Sequence, residues 1–496
     1  MSEEASKADI AALAKGGRTN IAGFIIRLVA RIPFLIIASR LYGAEAMGRF
    51  ASALVMVEFA ALLCTLGQKR GLARRLTESE QHPANAVADA MLLNVLVATV
   101  ATVLIYLFPV SMYPNSDFGV AEHLLVLGIL PSGLTDLALA ALAYRFDVAT
   151  SVRARAVAEP WALSIAAGVL YFYNPEGGLP LAYVISMVVA WIVAMIPLIR
   201  SYGLPEQWRP HPVHMWHLTR ANMPLAVADL VEWGTRKLDV FLLRFFIGEG
   251  ALGVYYFAQQ FASLPQKLKT SFEPVLGPVI TRNVRERNYA AIARQVCQVG
   301  FWITAAQAGI ALALGIPGEG LMGLGGPGFV SGTAALAFLL LAEVVASKAV
   351  VSEAALVYLA RYKNLVLSVC TIALQGGLTI GGILLARYLG YGQAYAAAAA
   401  AGALMLSLAI SSSLKARLLA RILEHGINNW RWPLVWAALA AAAVGVTATW
   451  LLPEWAELIF GIPAILAVYC WVIWRWGFGP EDRVLFRKNV APVLPE

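Results

Sequence analysis

Tyr42-Gly-Ala-Glu-Ala-Met-Gly-Arg-Phe50 returns 205 residues later as Ile247-Gly-Glu-Gly-Ala-Leu-Gly-Val-Tyr255. Gly43 aligns with Gly248, Gly48 with Gly253, Phe50 with Tyr255 and Ala53 with Ala258. Each copy reads as a tight glycine turn between two apolar stretches. The flanking stretches repeat with it: at the same offset Arg27 falls on Glu232 and Arg31 on Arg236. If each copy holds about six membrane spans, an even number, the chain returns to its starting side before the second copy begins. The halves then run parallel, related by an axis along the membrane normal, and transporters built this way hold their cargo between the halves.

The 496-residue chain is 59% hydrophobic and only 14% charged, with a mean hydropathy of +0.69. A soluble protein of this length could not hide that much apolar surface. The apolar stretches lie near 20–41, 46–67, 85–108, 120–143, 157–173, 179–199, 223–247, 252–278, 293–315, 333–359, 364–388, 392–414, 433–452 and 457–476. Each is close to the ~20 residues that cross a ~30 Å hydrocarbon core. The expected fold is all-α and polytopic, with about 14 transmembrane helices. Its expected organisation is a six-helix lobe over 1–199, a cytoplasmic linker over 200–222 and a second six-helix lobe over 223–423. Two additional helices and a cytoplasmic tail follow over 424–496.

Charge supports this layout. The net charge of +8 does not indicate nucleic acid, because the basic residues sit in short loops on alternate sides of the spans. One side carries Lys69, Arg70, Arg74 and Arg75, then Arg145, Arg153 and Arg155, then Arg200, Arg209 and Arg220, and the series continues to Lys415, Arg417, Arg421 and Arg431. The other side holds little beyond Arg40, Arg49 and Arg387. The positive-inside rule makes the basic side cytoplasmic, with both termini there. Met1 to Gly17 is polar and lacks a cleavable signal with a small-residue site. Cys64, Cys297, Cys370 and Cys470 lie within or at the ends of apolar stretches and form no CxxC pair, so they read as packing residues. His211, His214 and His217 have a spacing that suits a metal on a helix, but their Pro-rich, Trp-flanked loop reads better as an interfacial connector. No metal site is expected.

Two spans carry charge where charge is expensive. The first holds Arg27 and Arg31; the second holds Asp229, Glu232, Arg236, Lys237, Asp239 and Arg244. Ionisable groups at such depth cost several kcal/mol unless they face protein, water or a partner, and so they mark a pathway. Arg27 and Arg31 share a helix face, and Asn20 lies two turns before Arg27 on that face. Asp229, Glu232, Arg236 and Asp239 fall at i, i+3, i+7 and i+10, a single stripe. Gln259, Ser263, Gln266 and Thr270 form a further stripe suited to sugar hydroxyls. The first and seventh spans, as repeat equivalents, are expected to face each other and to neutralise one another when empty. Equally, the arginines could pair with Asp229, Glu232 or Asp239 only to lock the spans together. Glu58, Asp136, Glu159, Glu273, Glu343, Lys348 and Glu353 are weaker candidates, and a buried carboxylate among them could carry a coupling proton.

The first span together with Leu41-Tyr-Gly-Ala-Glu-Ala-Met-Gly-Arg-Phe50 and Leu66-Gly-Gln-Lys-Arg-Gly-Leu-Ala-Arg-Arg75 resembles the start of the polysaccharide flippases. These are the Wzx-type members of the multidrug/oligosaccharidyl-lipid/polysaccharide exporter superfamily. The span layout extends the resemblance over nearly the whole chain. It implies a V-shaped, two-lobed transporter of a bacterial inner membrane with a central cavity. The implied cargo is an undecaprenyl-pyrophosphate-linked oligosaccharide for O-antigen, lipopolysaccharide or exopolysaccharide synthesis, and the implied partners are membrane lipids, a polysaccharide polymerase and glycosyltransferases. No cofactor is implied; coupling to H+ or Na+ stays open.

The residues suit such a cargo, because an arginine fork donates two hydrogen bonds to an oxyanion. Asn20, Arg27, Arg31, Asp229, Glu232, Arg236, Asp239, Gln259 and Gln266 are therefore the expected cavity residues. A cation-coupled multidrug exporter of the same superfamily is the nearest alternative, favouring acids and aromatics over arginines. A membrane-embedded polymerase or ligase is another, but the outer loops, Pro109 to Gly119 and Pro317 to Gly332, are short and poor in titratable groups. The chain is expected not to be an enzyme.

Overall fold

The computed structural model describes residues 30–78, 82–115, 119–210, 212–270, 280–479 and 482–483. Asn20, Arg27, His211 and Glu273 lie outside this set, as do the side chains of His214, Gln266 and Thr270.

Every expected apolar stretch, the first from residue 30 onward and the eighth as far as residue 270, falls largely on a helix. The order is α1 (30–42), α2 (Gly43–Cys64), α3 (Gln68–Glu78), α4 (Pro83–Leu107), α5 (Val120–Tyr144), α6 (148–171), α7 (Gly178–Tyr202), α8 (Pro212–Leu243) and α9 (Glu249–Thr270). It continues with α10 (Tyr289–Gly315), α11 (Thr333–Leu359), α12 (Arg361–Tyr388), α13 (Gln393–Leu423), α14 (Pro433–Leu451) and α15 (Glu454–Gly477). There are 10 helical stretches long and apolar enough to cross a membrane among the described residues. α6, α8 and α9 are not among them, and their interiors carry charged and polar residues. Backbone groups in hydrocarbon must be satisfied within the segment, which is why apolar runs of this length become helices. The protein is a polytopic, all-α membrane protein.

The described residues form two compact units, one over 26–256 and one continuing from 257. The division falls inside α9, between Tyr256 and Phe257.

In the first unit α4, α5, α6 and α7 pack through small residues. Ala90, Ala138, Ala141, Ala154 and Ala194 are fully buried beside Leu142 and Leu198. Without a water-driven force between helices, small side chains that permit close backbone approach are what hold such bundles together. The outward face of α4 is apolar by contrast: Leu96, Val100, Val103, Leu104 and Leu107 are all exposed.

The same unit contains the repeated turn. Gly43 has φ +82°, a left-handed conformation that suits glycine. Five residues on, α2 crosses α9 at a pair of glycines. A Cβ on Gly48 would lie 1.8 Å from the Glu249 carbonyl oxygen and 3.0 Å from Gly253 N. A Cβ on Gly253 would lie 1.9 Å from the Ala44 carbonyl oxygen and 2.9 Å from Gly48 N. Ala44 and Glu249 are themselves repeat equivalents. The two copies of the motif therefore touch reciprocally, each glycine against the backbone of the other copy.

In the second unit α10 forms the centre. Phe301, Trp302 and Ile303 pack with Val351, Leu419, Ala437, Ala441, Ile465 and Tyr469 from α11, α13, α14 and α15. Asp482, beyond α15, is 2% exposed. It accepts hydrogen bonds from Arg431 (2.6 Å), Trp302 Nε1 (2.9 Å) and Gln298 Nε2 (3.2 Å), and so ties the chain after α15 to α10.

Candidate functional site: the charged interior of the first unit

The short helix α3 is pressed onto α8 because two glycines allow it. Gly67 has φ +71°, and a Cβ there would lie 2.5 Å from Ala226 N and 2.6 Å from the Asn222 carbonyl oxygen. A Cβ on Gly71 would lie 2.2 Å from Asn222 Oδ1. Between these glycines, Lys69 and Arg70 are held against the charged face of α8.

Arg70 is the centre of the arrangement. Its Nε donates to Asp229 Oδ1 at 2.5 Å, and its Nη2 donates to Glu232 Oε2 at 2.6 Å. These two donors form one edge of the guanidinium fork, the edge that carboxylates and phosphates engage bidentately. Glu232 Oε1 also accepts from Arg236 Nη2 at 3.0 Å. Asp229 is 6% exposed, whereas Arg70 (44%) and Glu232 (49%) are open to the surroundings. One turn further along, Lys237 pairs with Glu58 of α2 at 3.3 Å. Trp233 and Phe241 of α8 pack against Phe59 of α2, with ring centroids 4.8 and 6.1 Å away.

A second ion-pair chain adjoins the first through Lys69. Asp136 of α5 accepts from Lys69 Nζ at 3.2 Å and from Arg155 Nη2 at 2.5 Å. Arg155 Nη1 donates in turn to Glu159 at 2.8 Å. Arg155 sits in a π-helical turn, Val152–Ala158, of α6. Such turns recur at functional sites because they re-aim side chains. Arg31 of α1 is half-buried. The two ion-pair chains join α2, α3, α5, α6 and α8.

The expected residues divide as follows. Asp229, Glu232 and Arg236 come together, and Arg31 is half-buried on α1. The counter-charge for Asp229 and Glu232 comes from Arg70 on α3, not from Arg31. Asp239 is fully buried and accepts a 2.5 Å hydrogen bond from the Tyr255 hydroxyl, which fastens α8 to α9. Gln259 is half-buried on α9. Asn20, Arg27 and the Gln266 side chain lie outside the described residues. Sequence reading missed Lys69, Arg70 and Arg155 as site residues, because basic residues near span ends look like topology signals. The glycines flanking Lys69 and Arg70, four residues apart, were the available clue to a close approach.

At the repeated turn the charges are fewer. Arg49 Nε donates to Glu122 at 2.8 Å and its Nη1 to Glu249 at 3.2 Å. Arg244 donates to the Ser52 carbonyl oxygen at 3.1 Å and stacks over Phe241 and Phe245. No group of His, Cys, Asp and Glu capable of holding a metal occurs among the described residues.

Comparison with solved structures places this fold. A lipid II flippase, MurJ, in an inward closed conformation superposes with a TM-score of 0.67 at 13% identity, covering 91% of this chain and 98% of that one. An inward-facing multidrug resistance MATE family transporter of the MOP superfamily gives 0.63 at 13% identity, covering 81% and 99%. The Vibrio cholerae MATE transporter VcmN in its bent form gives 0.56 at 11%, covering 84% and 98%. At such identities the likeness establishes the fold. No curated protein matches by sequence. A family described as polysaccharide biosynthesis protein matches residues 13–284, more than half of the chain. The chain therefore belongs to the polysaccharide biosynthesis protein family, with the fold shared by MurJ and the MATE transporters.

Proposed function

We propose that the protein is a flippase that moves a lipid-linked oligosaccharide, joined to its polyprenyl chain through a diphosphate, across a bacterial inner membrane by alternating access. The carrying observation is the Arg70 fork. Its two donors are occupied by a buried and an exposed carboxylate, and together they form an edge that a phosphate engages bidentately. An arriving diphosphate displaces Asp229 and Glu232 from Arg70, while Arg236 retains Glu232 and Lys237 retains Glu58. Glu232 and Glu58 thus stay paired when cargo is bound, whereas Asp229, 6% exposed, loses its guanidinium partner, a cost that the phosphate contacts of Arg70 must offset. Arg31, half-buried on α1, adds cationic charge. Family membership supports a saccharide cargo, and the MurJ-like fold supports movement of a lipid-linked one.

The repeat and the basic loops support further parts of this reading. Lobes over 1–199 and 223–423 move as parallel halves, residues 424–496 add two helices, and the basic loops and both termini face the cytoplasm. Glycosyltransferases supply the cargo and a polymerase receives it. The protein acts as a transporter, not an enzyme. The test is accumulation of lipid-linked saccharide on the cytoplasmic leaflet when the gene is deleted. Complementation by wild-type protein but not by Arg70→Ala is expected, and equal complementation by both overturns the role of Arg70.

A further inference from the structure

We infer that the segment between the repeats, residues 203–210, is a strap that positions Arg70, and that Trp208 and Asp89 are the positioning residues. The inference rests on the reading of Arg70 as the cargo group, but it names residues that the cargo does not touch.

Three observations carry it. First, the strap is seated by specific contacts although it runs over the surface. Gly203 ends α7 at φ +76°. Of residues 203–210 only Trp208 is half-buried, and the rest are exposed. The Asn85 carboxamide of α4 reads the strap's backbone with both of its atoms. Its Nδ2 donates to the Glu206 carbonyl oxygen at 2.9 Å, and its Oδ1 accepts from Glu206 N at 3.1 Å. Gln207 then takes φ +45°, a left-handed conformation that a non-glycine residue keeps only where its surroundings hold it. Beyond that turn, Trp208 Nε1 donates to Asp89 Oδ1 of α4 at 2.7 Å.

Second, Asp89 passes the contact on to α3. Its Oδ2 accepts from Arg75 Nη2 at 2.6 Å, with the two side chains 8% and 11% exposed. A buried ion pair holds one geometry, because moving either partner away leaves an uncompensated charge. Arg75 Nη1 also donates to the Ala86 carbonyl oxygen at 3.0 Å. Leu72 of α3 packs in the same core as Val87, Leu142 and Tyr202.

Third, α3 is gripped from two sides. It has 11 residues, too few for a helix to hold its own place. Leu72 and Arg75 fix it to α4, while Gly67 and Gly71 seat it on α8. Arg70, on the same short helix, pairs with Asp229 and Glu232 of α8. The strap leads into α8, which begins at Pro212. One segment therefore serves both walls of the Arg70 site: α8 by chain continuity, and α3 through Trp208, Asp89 and Arg75.

Trp208→Phe keeps a ring and removes the N–H. In concentration-dependent exchange of a polyprenyl-diphosphate saccharide in vesicles, apparent affinity should fall about tenfold, with the saturating rate within about twofold of wild type. Asn85→Ala undocks the strap by a different contact and should give the same split. The Arg70→Ala/Asp229→Asn background decides how the effect travels. Independent sites would add, so an effect carried through Arg70 should shrink below about twofold there. A second arm uses no cargo. Amide exchange over residues 70–78 should speed roughly tenfold in Trp208→Phe, while Phe301, Trp302 and Ile303 in α10 keep their protection.

An equal affinity loss in both backgrounds overturns the strap's role. So does an unchanged wild-type affinity on Trp208→Phe, an Asn85→Ala variant without the split, or α3 exchange that Trp208→Phe leaves alone. If α3 loosens as expected while no variant, wild type included, moves the saccharide, the strap's hold on α3 stands and the cargo assignment falls.

Discussion

Arg70→Ala separates a substrate role from a structural one, provided it is paired with Asp229→Asn. In the wild type, Arg70 Nε lies 2.5 Å from a carboxylate that is only 6% exposed. The second oxygen of that carboxylate, Asp229 Oδ2, is buried without a hydrogen-bond partner. Removing the guanidinium strands this charge, at a cost of about 1–3 kcal/mol of stability. The Glu232 contact adds under ~1 kcal/mol, because both partners are nearly half exposed and screened. Asp229→Asn in the Arg70→Ala background removes the stranded charge and should restore the melting temperature to within the equivalent of ~1 kcal/mol.

Transport should not recover with stability. Two charge-assisted hydrogen bonds to phosphate are lost, less the carboxylate contacts that they replace. The net is about 2–3 kcal/mol, or roughly 30- to 150-fold in apparent affinity. Arg70→Lys keeps charge without the fork and should fall between. The assay is thermal unfolding in detergent beside concentration-dependent exchange in vesicles. A stable double variant that transports like wild type would refute the reasoning, because Arg70 would then matter only as a partner for Asp229.

Three other perturbations follow from the packing. Asp482→Ala removes the acceptor shared by Arg431, Trp302 Nε1 and Gln298 Nε2, while Arg431 keeps its bond to the Gly477 carbonyl, and should lower stability by roughly 2–4 kcal/mol, read as a fall in melting temperature. Arg155→Ala leaves Asp136 with Lys69 alone and Glu159 without its partner. A loss of about 2–4 kcal/mol is expected, with Arg155→Lys recovering part of it. The third concerns the loop before α6, where Asp147 accepts from the Thr150 hydroxyl at 2.6 Å and from Thr150 N at 3.0 Å. These bonds, the hydroxyl first, hold its carboxyl below the usual carboxylate range. The cap therefore contributes above the unfolded pKa of about 4 and is lost as pH falls through the lower folded value. Faster amide exchange at Thr150 is expected below that range, and exchange insensitive to Asp147→Ala would contradict it.

The spans were legible because their physics is local. A run of about 20 apolar residues can satisfy its backbone in hydrocarbon only as a helix. The repeat was legible too, and it paired Gly48 with Gly253 before any contact was known. The charge partners were not legible. Arg70 and Asp229 are 159 positions apart, and nothing in a count of basic residues says whether one at a span end faces water or turns back to a carboxylate. Arg155 was hidden for the same reason, on a π-helical turn that no periodicity announced. Asp239 fitted the α8 stripe by spacing, yet its carboxylate is fully buried against Tyr255, because a helical stripe wide enough to include it also wraps onto the packing face.

The most direct test of the account follows one molecule from one leaflet to the other. Purified protein in vesicles is given a fluorescent polyprenyl-diphosphate saccharide, and the fraction open to an impermeant quencher is followed in time. The account predicts exchange well above that of protein-free vesicles, with apparent affinity lowered roughly 30- to 150-fold by Arg70→Ala/Asp229→Asn, and no exchange of the same lipid without its diphosphate. Exchange no faster than in empty vesicles, or equally fast without the diphosphate, would contradict it.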